Sequence, residues 1–267
     1  MNMDKRTLGI LSVIILVSLI LIAMVWYMAT HPAPAPVPPA VTQPVTEEPQ
    51  SEEIVENSQY FEITAEYPVS VQLPLASNSA AGANVEAVVK AWTTNTIASF
   101  KKENGPETLS PEHAAAMGLG TDRKFALGME YDTYFSPRTI SYVYTIFMDT
   151  FGAHPNSFFR TFTFDVTTGR ELALSEVFVP GSDYLGALST KARLKLPGII
   201  GTEYADAEYI ASGTMPEATM FQNFYLDGDV LTILFPAYQV GPYVLGAQRL
   251  PIPLAEFGDM VRPEFRR

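Results

Sequence analysis

The stretch FQNFYLDGDVLTILFPAYQVGPYVLGAQRLPIPL, Phe221 to Leu254, decides most of what can be said about this chain. Its first half is a hairpin signature: Phe221–Leu226 and Val230–Phe235 flank Asp227-Gly228-Asp229, and a DG turn between alternating apolar runs is a strong local hairpin signal. Its second half breaks that regularity. Pro236 and Pro242 lack a backbone donor and Gly241 and Gly246 permit unusual dihedrals, so the chain leaves the sheet after Phe235 and forms a loop. Tyr238 and Tyr243 present large amphipathic surfaces at low entropic cost in that loop, and Gln239 adds hydrogen-bonding capacity. Pro236, Tyr238, Gln239 and Tyr243 are therefore the candidate binding residues.

Upstream, Lys124–Phe135 and Thr139–Phe151 read as strands around a Ser136-Pro137-Arg138 turn. GAHPN (Gly152–Asn156) reverses the chain into SFFRTFTFDV, and Thr167-Thr168-Gly169 reverses it again into ELALSEVF, giving an antiparallel meander. Tyr60–Leu75 alternates as a further strand, interrupted by Pro68 and suited to a sheet edge. Asn84 is placed to cap a helix carrying Val85, Val88, Val89, Trp92 and Phe100 at helical spacing, ending at Lys101, Lys102 and Gly105. Asp183–Leu196 has a helical period, and Glu203–Ala211 adds a shorter one. Strands joined by hairpins, with helices grouped between them, indicate an α+β fold with an antiparallel sheet meander.

The N-terminal part reads differently. Leu8–Met28 is uncharged, contains thirteen Leu, Ile and Val residues, and approaches the ~20 residues a helix needs to cross a bilayer. Lys5 and Arg6 precede it and no Lys or Arg follows until Lys90, so residues 1–7 are expected in the cytoplasm and the rest outside, periplasmic or extracellular. His31–Ser58 is rich in proline and then glutamate, and residues 29–58 are expected to be a disordered spacer. The chain has 267 residues and no cysteine, so any folded region outside the cell is held without disulfides. A formal charge of −12 disfavours nucleic acid and favours a basic partner.

Taken in order, the Asn84 helix, Gly152–Phe178 and Phe235–Leu254 resemble the paired extracytoplasmic domains of unknown function found in the lysozyme-sensing anti-sigma factor RsiV and before the catalytic domain of the peptidoglycan deacetylase PdaC. The resemblance spans about Gln59 to Phe257, and it implies a PdaC-like domain at 59–170 and an RsiV-type domain at 171–260. It further implies binding of a lysozyme-like protein or of peptidoglycan, with Pro236 and Tyr238 in the recognition region. Only seven residues precede the apolar run, so a sigma-factor-binding module is not carried over.

Catalytic chemistry is poorly represented. A deacetylase of the PdaC kind uses an aspartate pair and spaced histidines for a metal, whereas Thr163-Phe164-Asp165-Val166 offers one aspartate and His31, His113 and His154 are scattered. Ser99-Phe100-Lys101-Lys102 fits S-x-x-K without the companion motifs. Leu231 stands where a calcium loop needs an oxygen ligand. No catalytic residue, metal site or cofactor is assigned. His154, exposed by a tight turn, joins the binding candidates. The sequence-level function is thus a membrane-anchored binding or sensor domain, with a wall-modifying enzyme or an envelope scaffold as alternatives.

Overall fold

The structure, a computed structural model, describes residues 50–73, 75–76 and 80–266. The expected membrane helix at 8–28 and the spacer as far as residue 49 lie outside the described residues. Among the described residues no helix is long and apolar enough to cross a membrane.

Two sheets share the described part. The first has five strands in sequence order: β1 (Gln50–Asn57), β2 (Phe61–Val69), β3 (Phe125–Phe135), β4 (Thr139–Asp149) and β5 (Asn156–Asp165). β1–β2, β3–β4 and β4–β5 are antiparallel, but β2 and β3 run parallel. β3–β4–β5 is the expected antiparallel meander, and the parallel β2–β3 pair adds to it a pairing that was not expected. Its cause is the long connection between the two strands, which carries helix α1 (Ala80–Asn104) across one face of the sheet as parallel pairing requires.

β1 is a correction, because the acidic run expected in the spacer is a strand from Gln50 onward. An edge strand tolerates alternating charge when its carboxylates find partners. Here Glu56 pairs with Lys101 at 2.8 Å and Glu52 accepts from the Tyr67 hydroxyl. β2 is consequently an inner strand and not the edge.

Helix α1 buries Val85, Val89, Thr93, Ile97 and Phe100, the i, i+4 stripe of an amphipathic helix. Trp92 packs edge-on against Tyr144 and Phe162 at 4.8 and 5.2 Å between centroids. The helix begins at Ala80, four residues before the expected cap. Asn84 instead donates to the Gly169 carbonyl at 2.8 Å, tying the Thr167–Gly169 turn to the helix. A short helix α2 (Pro111–Ala116) follows, capped by Ser110.

ELALSEVF does not continue the meander. Glu171 makes a single bridge to Phe164, and Leu174–Val177 is a 3-10 turn. Glu176 reaches back to the Ala173 N–H at 2.9 Å, which stabilises the turn over a strand.

Asp183 then caps helix α3 (Tyr184–Ile200), and Asp206 caps α4 (Ala207–Gly213). The second sheet, order β6-β7-β8, contains β6 (Phe224–Asp227), β7 (Val230–Phe235) and β8 (Gln248–Pro253), all antiparallel. β6 and β7 are the expected hairpin. β8 shows that the quoted stretch returns to the sheet after its loop, because Leu250 and Ile252 alternate inward with no exposure. All described residues fall in one compact unit, with one core from Phe61 to Val166 and another from Leu174 to Val261.

The cores meet along β6. Its outward N–H groups would be stranded against the first sheet, yet Phe224 N–H donates to Thr161 Oγ1 at 3.0 Å and Leu226 N–H reaches Ser141 Oγ at 3.5 Å. Gly228 N–H adds a 2.8 Å bond to the Phe135 carbonyl. Val143, Tyr225 and Leu234 fill the seam, with Tyr134 stacked on Tyr225 at 4.0 Å.

Candidate ligand-binding site

The loop after β7 is built from two tight turns. In the first, Gln239 N–H bonds to the Pro236 carbonyl at 3.1 Å and Tyr238 sits at φ +71°, the third position of a type II turn that normally selects glycine or asparagine. A tyrosine there stores strain of about 1–3 kcal/mol, and such strain clusters at functional sites. In the second, Leu245 and Gly246 N–H groups bond to the Pro242 and Tyr243 carbonyls at 3.0 and 2.9 Å. Val240, between them, is 2 % exposed and anchors the loop in the second core.

Gln239 turns inward. Its Nε2 donates to the carbonyls of Gly213 (2.9 Å) and Met220 (2.8 Å), so the amide nitrogen holds the loop and only Oε1 is left for other partners. Gly213 is required at that contact, since a Cβ would lie 1.8 Å from the Gln239 carbonyl oxygen.

The tyrosines face outward, with Tyr238 54 % and Tyr243 40 % exposed. Tyr243 reaches across to the first sheet, where its ring stacks on His154 at 4.2 Å and 26°. Tyr238 lies against Tyr243 at 5.3 Å. The Tyr243 hydroxyl donates to the Pro155 carbonyl at 3.2 Å, and His154 Nδ1 lies 2.8 Å from the same oxygen. Because a carbonyl only accepts, this geometry puts the proton on Nδ1 and turns Nε2 away from the bond. Pro236 is half-buried at the base of the first turn.

Four of the five candidates, His154, Pro236, Tyr238 and Tyr243, therefore shape one ring-bearing surface, while Gln239 braces it from behind. Val244, 87 % exposed beside Tyr243, extends the patch and was not among the candidates. Its exposure comes from the turn geometry, which no period in the sequence signals. Near the seam, burial and the neighbouring Tyr225 raise the Tyr134 phenol, while Arg249, 3.1 Å from its oxygen, opposes the rise. Among the described residues no group of three or more His, Cys, Asp or Glu side chains is gathered as a metal site needs.

The loop, the sheet that carries it and α3–α4 all lie within one family match. Residues 175–255 match DUF3298, a family described as a protein of unknown function. The DUF3298 match includes the Tyr238 and Tyr243 side of the patch but not His154. Over 199 residues the chain is 24 % identical to the peptidoglycan-N-acetylmuramic acid deacetylase PdaC of Bacillus subtilis, covering 73 % of this chain and 39 % of that protein. Over 115 residues it is 27 % identical to a Mycobacterium tuberculosis protein named as an esterase, covering 43 % of this chain and 49 % of the other. The chain thus spans less than half the length of either relative.

Two crystal structures of DUF3298 proteins share the fold. One, from Bacteroides fragilis, aligns over 81 % of this chain and 94 % of its own at TM-score 0.56 and 21 % identity. The other, from Pseudomonas aeruginosa PAO1, aligns over 82 % and 97 % at TM-score 0.53 and 13 % identity. Both alignments extend well beyond residues 175–255, so the shared fold is larger than the family match.

Proposed function

We propose that this protein is a cell-surface binding module, anchored by Leu8–Met28 and displaying the described unit outside the membrane, whose ligand is a basic envelope-directed protein such as lysozyme. The observation that carries the reading is the Tyr238–Tyr243–His154 cluster, in which two exposed tyrosines on a strained and braced loop lie in contact and one of them stacks on His154 of the turn before β5. Tyrosine at the centre of a contact is a preferred energetic anchor. The overall charge of −12 supports a cationic ligand, since opposite fields raise the encounter rate and that gain fades as salt shortens the screening length to about 8–10 Å.

A second reading, peptidoglycan as the ligand, is favoured by the likeness to a protein whose name is that of a peptidoglycan deacetylase. Hydrolysis of wall material is the remaining alternative, supported by the deacetylase and esterase names of the two relatives.

The test uses a fragment from residue 44 onward, the bounds of the compact unit. Its binding to lysozyme and to purified peptidoglycan is measured by interferometry and co-sedimentation, with Tyr238→Ala as the variant. Loss of about tenfold in affinity or more on substitution is expected, with association slowing as salt rises. No binding to either ligand, or an unchanged affinity for Tyr238→Ala, refutes the reading. Release of acetyl groups from labelled wall fragments would replace it with the enzymatic one.

A further inference from the structure

β5 is the outer strand of the first sheet, and its odd-numbered residues turn their backbone groups away from β4. The Thr163 carbonyl accepts from Leu172 N–H at 2.7 Å, and Asp165 N–H donates to the Arg170 carbonyl at 3.0 Å. Arg170–Leu172 thus begins a sixth strand. The chain abandons that position at Ala173, where the Glu176 bond to the Ala173 N–H turns it into the 3-10 segment.

Ser157, Phe159 and Thr161 have the same orientation as Thr163, and their outward backbone groups meet no partner among the described residues. This free edge has few of the usual protections against strand addition, since Asn156–Phe159 contains no proline and no charge and Phe158 is 46 % exposed. Where the sixth strand would have continued there is instead a cleft of about 470 Å³ lined by Arg160, Thr161, Glu171, Glu176, Tyr184 and Gln222. Of its two carboxylates, Glu176 is held by Arg170 and the Ala173 N–H, whereas Glu171 meets Arg160 at 2.7 Å in a partly exposed ion pair, a kind of contact worth little to the fold.

We propose that the free edge of β5 and the adjoining cleft form a second binding site that takes an extended peptide segment of a partner protein, with a lysine or arginine side chain of that segment entering the cleft. The peptide pairs with the Ser157 and Phe159 backbone groups and continues the line begun by Arg170–Leu172. In strand addition the main chain supplies affinity and side-chain pockets supply specificity. Glu171 selects a cation here. The formal charge of −12 on each chain favours a basic segment and opposes edge-to-edge pairing of two copies. The site starts beyond Pro155, where the ring patch ends, and stands independently of that patch.

The test is hydrogen–deuterium exchange on the full-length chain in nanodiscs, with acetyl-Thr-Val-Thr-Lys-Val-Thr-Val-amide as probe and the same peptide bearing norleucine for lysine as comparison. Exchange across residues 156–161 should slow with the lysine peptide. The norleucine peptide, Glu171→Gln and Ser157→Pro should each weaken binding about tenfold or more, the last because proline removes an outward donor and blocks the edge. Unchanged exchange in α1 and β7 shows that the variants fold. No slowing at 156–161 with millimolar lysine peptide overturns the proposal. So does slowing confined elsewhere, or equal binding by the norleucine peptide or by folded Ser157→Pro.

Discussion

Replacing Gln239 by alanine tests whether the ring patch is a braced surface or a mobile loop. The substitution removes two hydrogen bonds, 2.9 Å to the Gly213 carbonyl and 2.8 Å to the Met220 carbonyl. Each is worth about 0.5–1.5 kcal/mol net, and a buried carbonyl left without a donor costs about 1–3 kcal/mol more. Gly213 is buried and cannot recover its bond from solvent, whereas Met220 is half-buried and regains water. The sum is about 2–6 kcal/mol, a large share of the ~5–15 kcal/mol that holds a domain together. With an m-value of about 4–6 kcal/mol/M in guanidinium chloride, the midpoint should fall by about 0.3–1.5 M with m unchanged. Amide exchange across 236–246 should rise in parallel, because the brace joins the loop to α4 and to the 3-10 turn before β6. A midpoint shift under about 0.2 M, with exchange in the loop unchanged, would show that Val240 alone positions the tyrosines and that the brace is dispensable.

Three further substitutions probe the frame. Asp165 is pushed upward by burial, but the Thr167 hydroxyl, the Thr167 and Thr168 amides and the Arg138 guanidinium outweigh that and hold its carboxyl below the ordinary range. Its contribution is present above the unfolded value of about 4 and is lost as pH falls through the lower folded one. Asp165→Asn should therefore cost about 1–3 kcal/mol at pH 7 in urea denaturation, and the gap from the parent should shrink below about pH 4. An equal gap at both pH values would contradict the assignment. Gly169 has φ +65° and a Cβ there would lie 2.1 Å from the Ala81 carbonyl oxygen, whereas Gly228, at φ +57°, has nothing within 4 Å. Gly169→Ala should lower the melting temperature by about 4–8 °C or more, and Gly228→Ala by about half of that, since only the first adds a backbone clash to the strain. Equal shifts would mean that the turn against α1 can yield.

Elements whose signals are local were legible in the sequence. The alternation on either side of Ser136 and Pro137 gives β3 and β4, Asp227-Gly228 gives the β6–β7 hairpin, and the i, i+4 recurrence from Val85 to Phe100 gives α1. What was illegible depends on distant partners. Glu52, Glu53 and Glu56 read as solvated charges because neither Tyr67 nor Lys101 is near them in sequence, yet those partners help make β1 a strand. ELALSEVF carries strand-like apolar spacing, and its conversion to a 3-10 turn follows from one Glu176 contact that is itself fixed by Arg170. In the site, the tyrosines were legible from residue type and the loop from its prolines and glycines. The inward turn of Gln239 was not, because its acceptors belong to α4 and the segment after it.

The seam explains why a patch drawn from both halves can be rigid. β5 alternates Phe162 and Phe164 toward α1 with Thr161 and Thr163 toward the second sheet. Apolar residues at the threonine positions would bury as much surface but would leave the Phe224 N–H without its acceptor, at about 1–3 kcal/mol for an unmatched buried donor. Hydroxyls at the seam satisfy that donor and fix the register of one sheet against the other. His154, just before β5, and Tyr243, between β7 and β8, are then held by a junction whose polar contacts are directional and whose apolar filling is Val143, Tyr225 and Leu234. A stacked pair built across such a junction reports its geometry. Loosening the seam should therefore separate His154 from Tyr243 before either core unfolds.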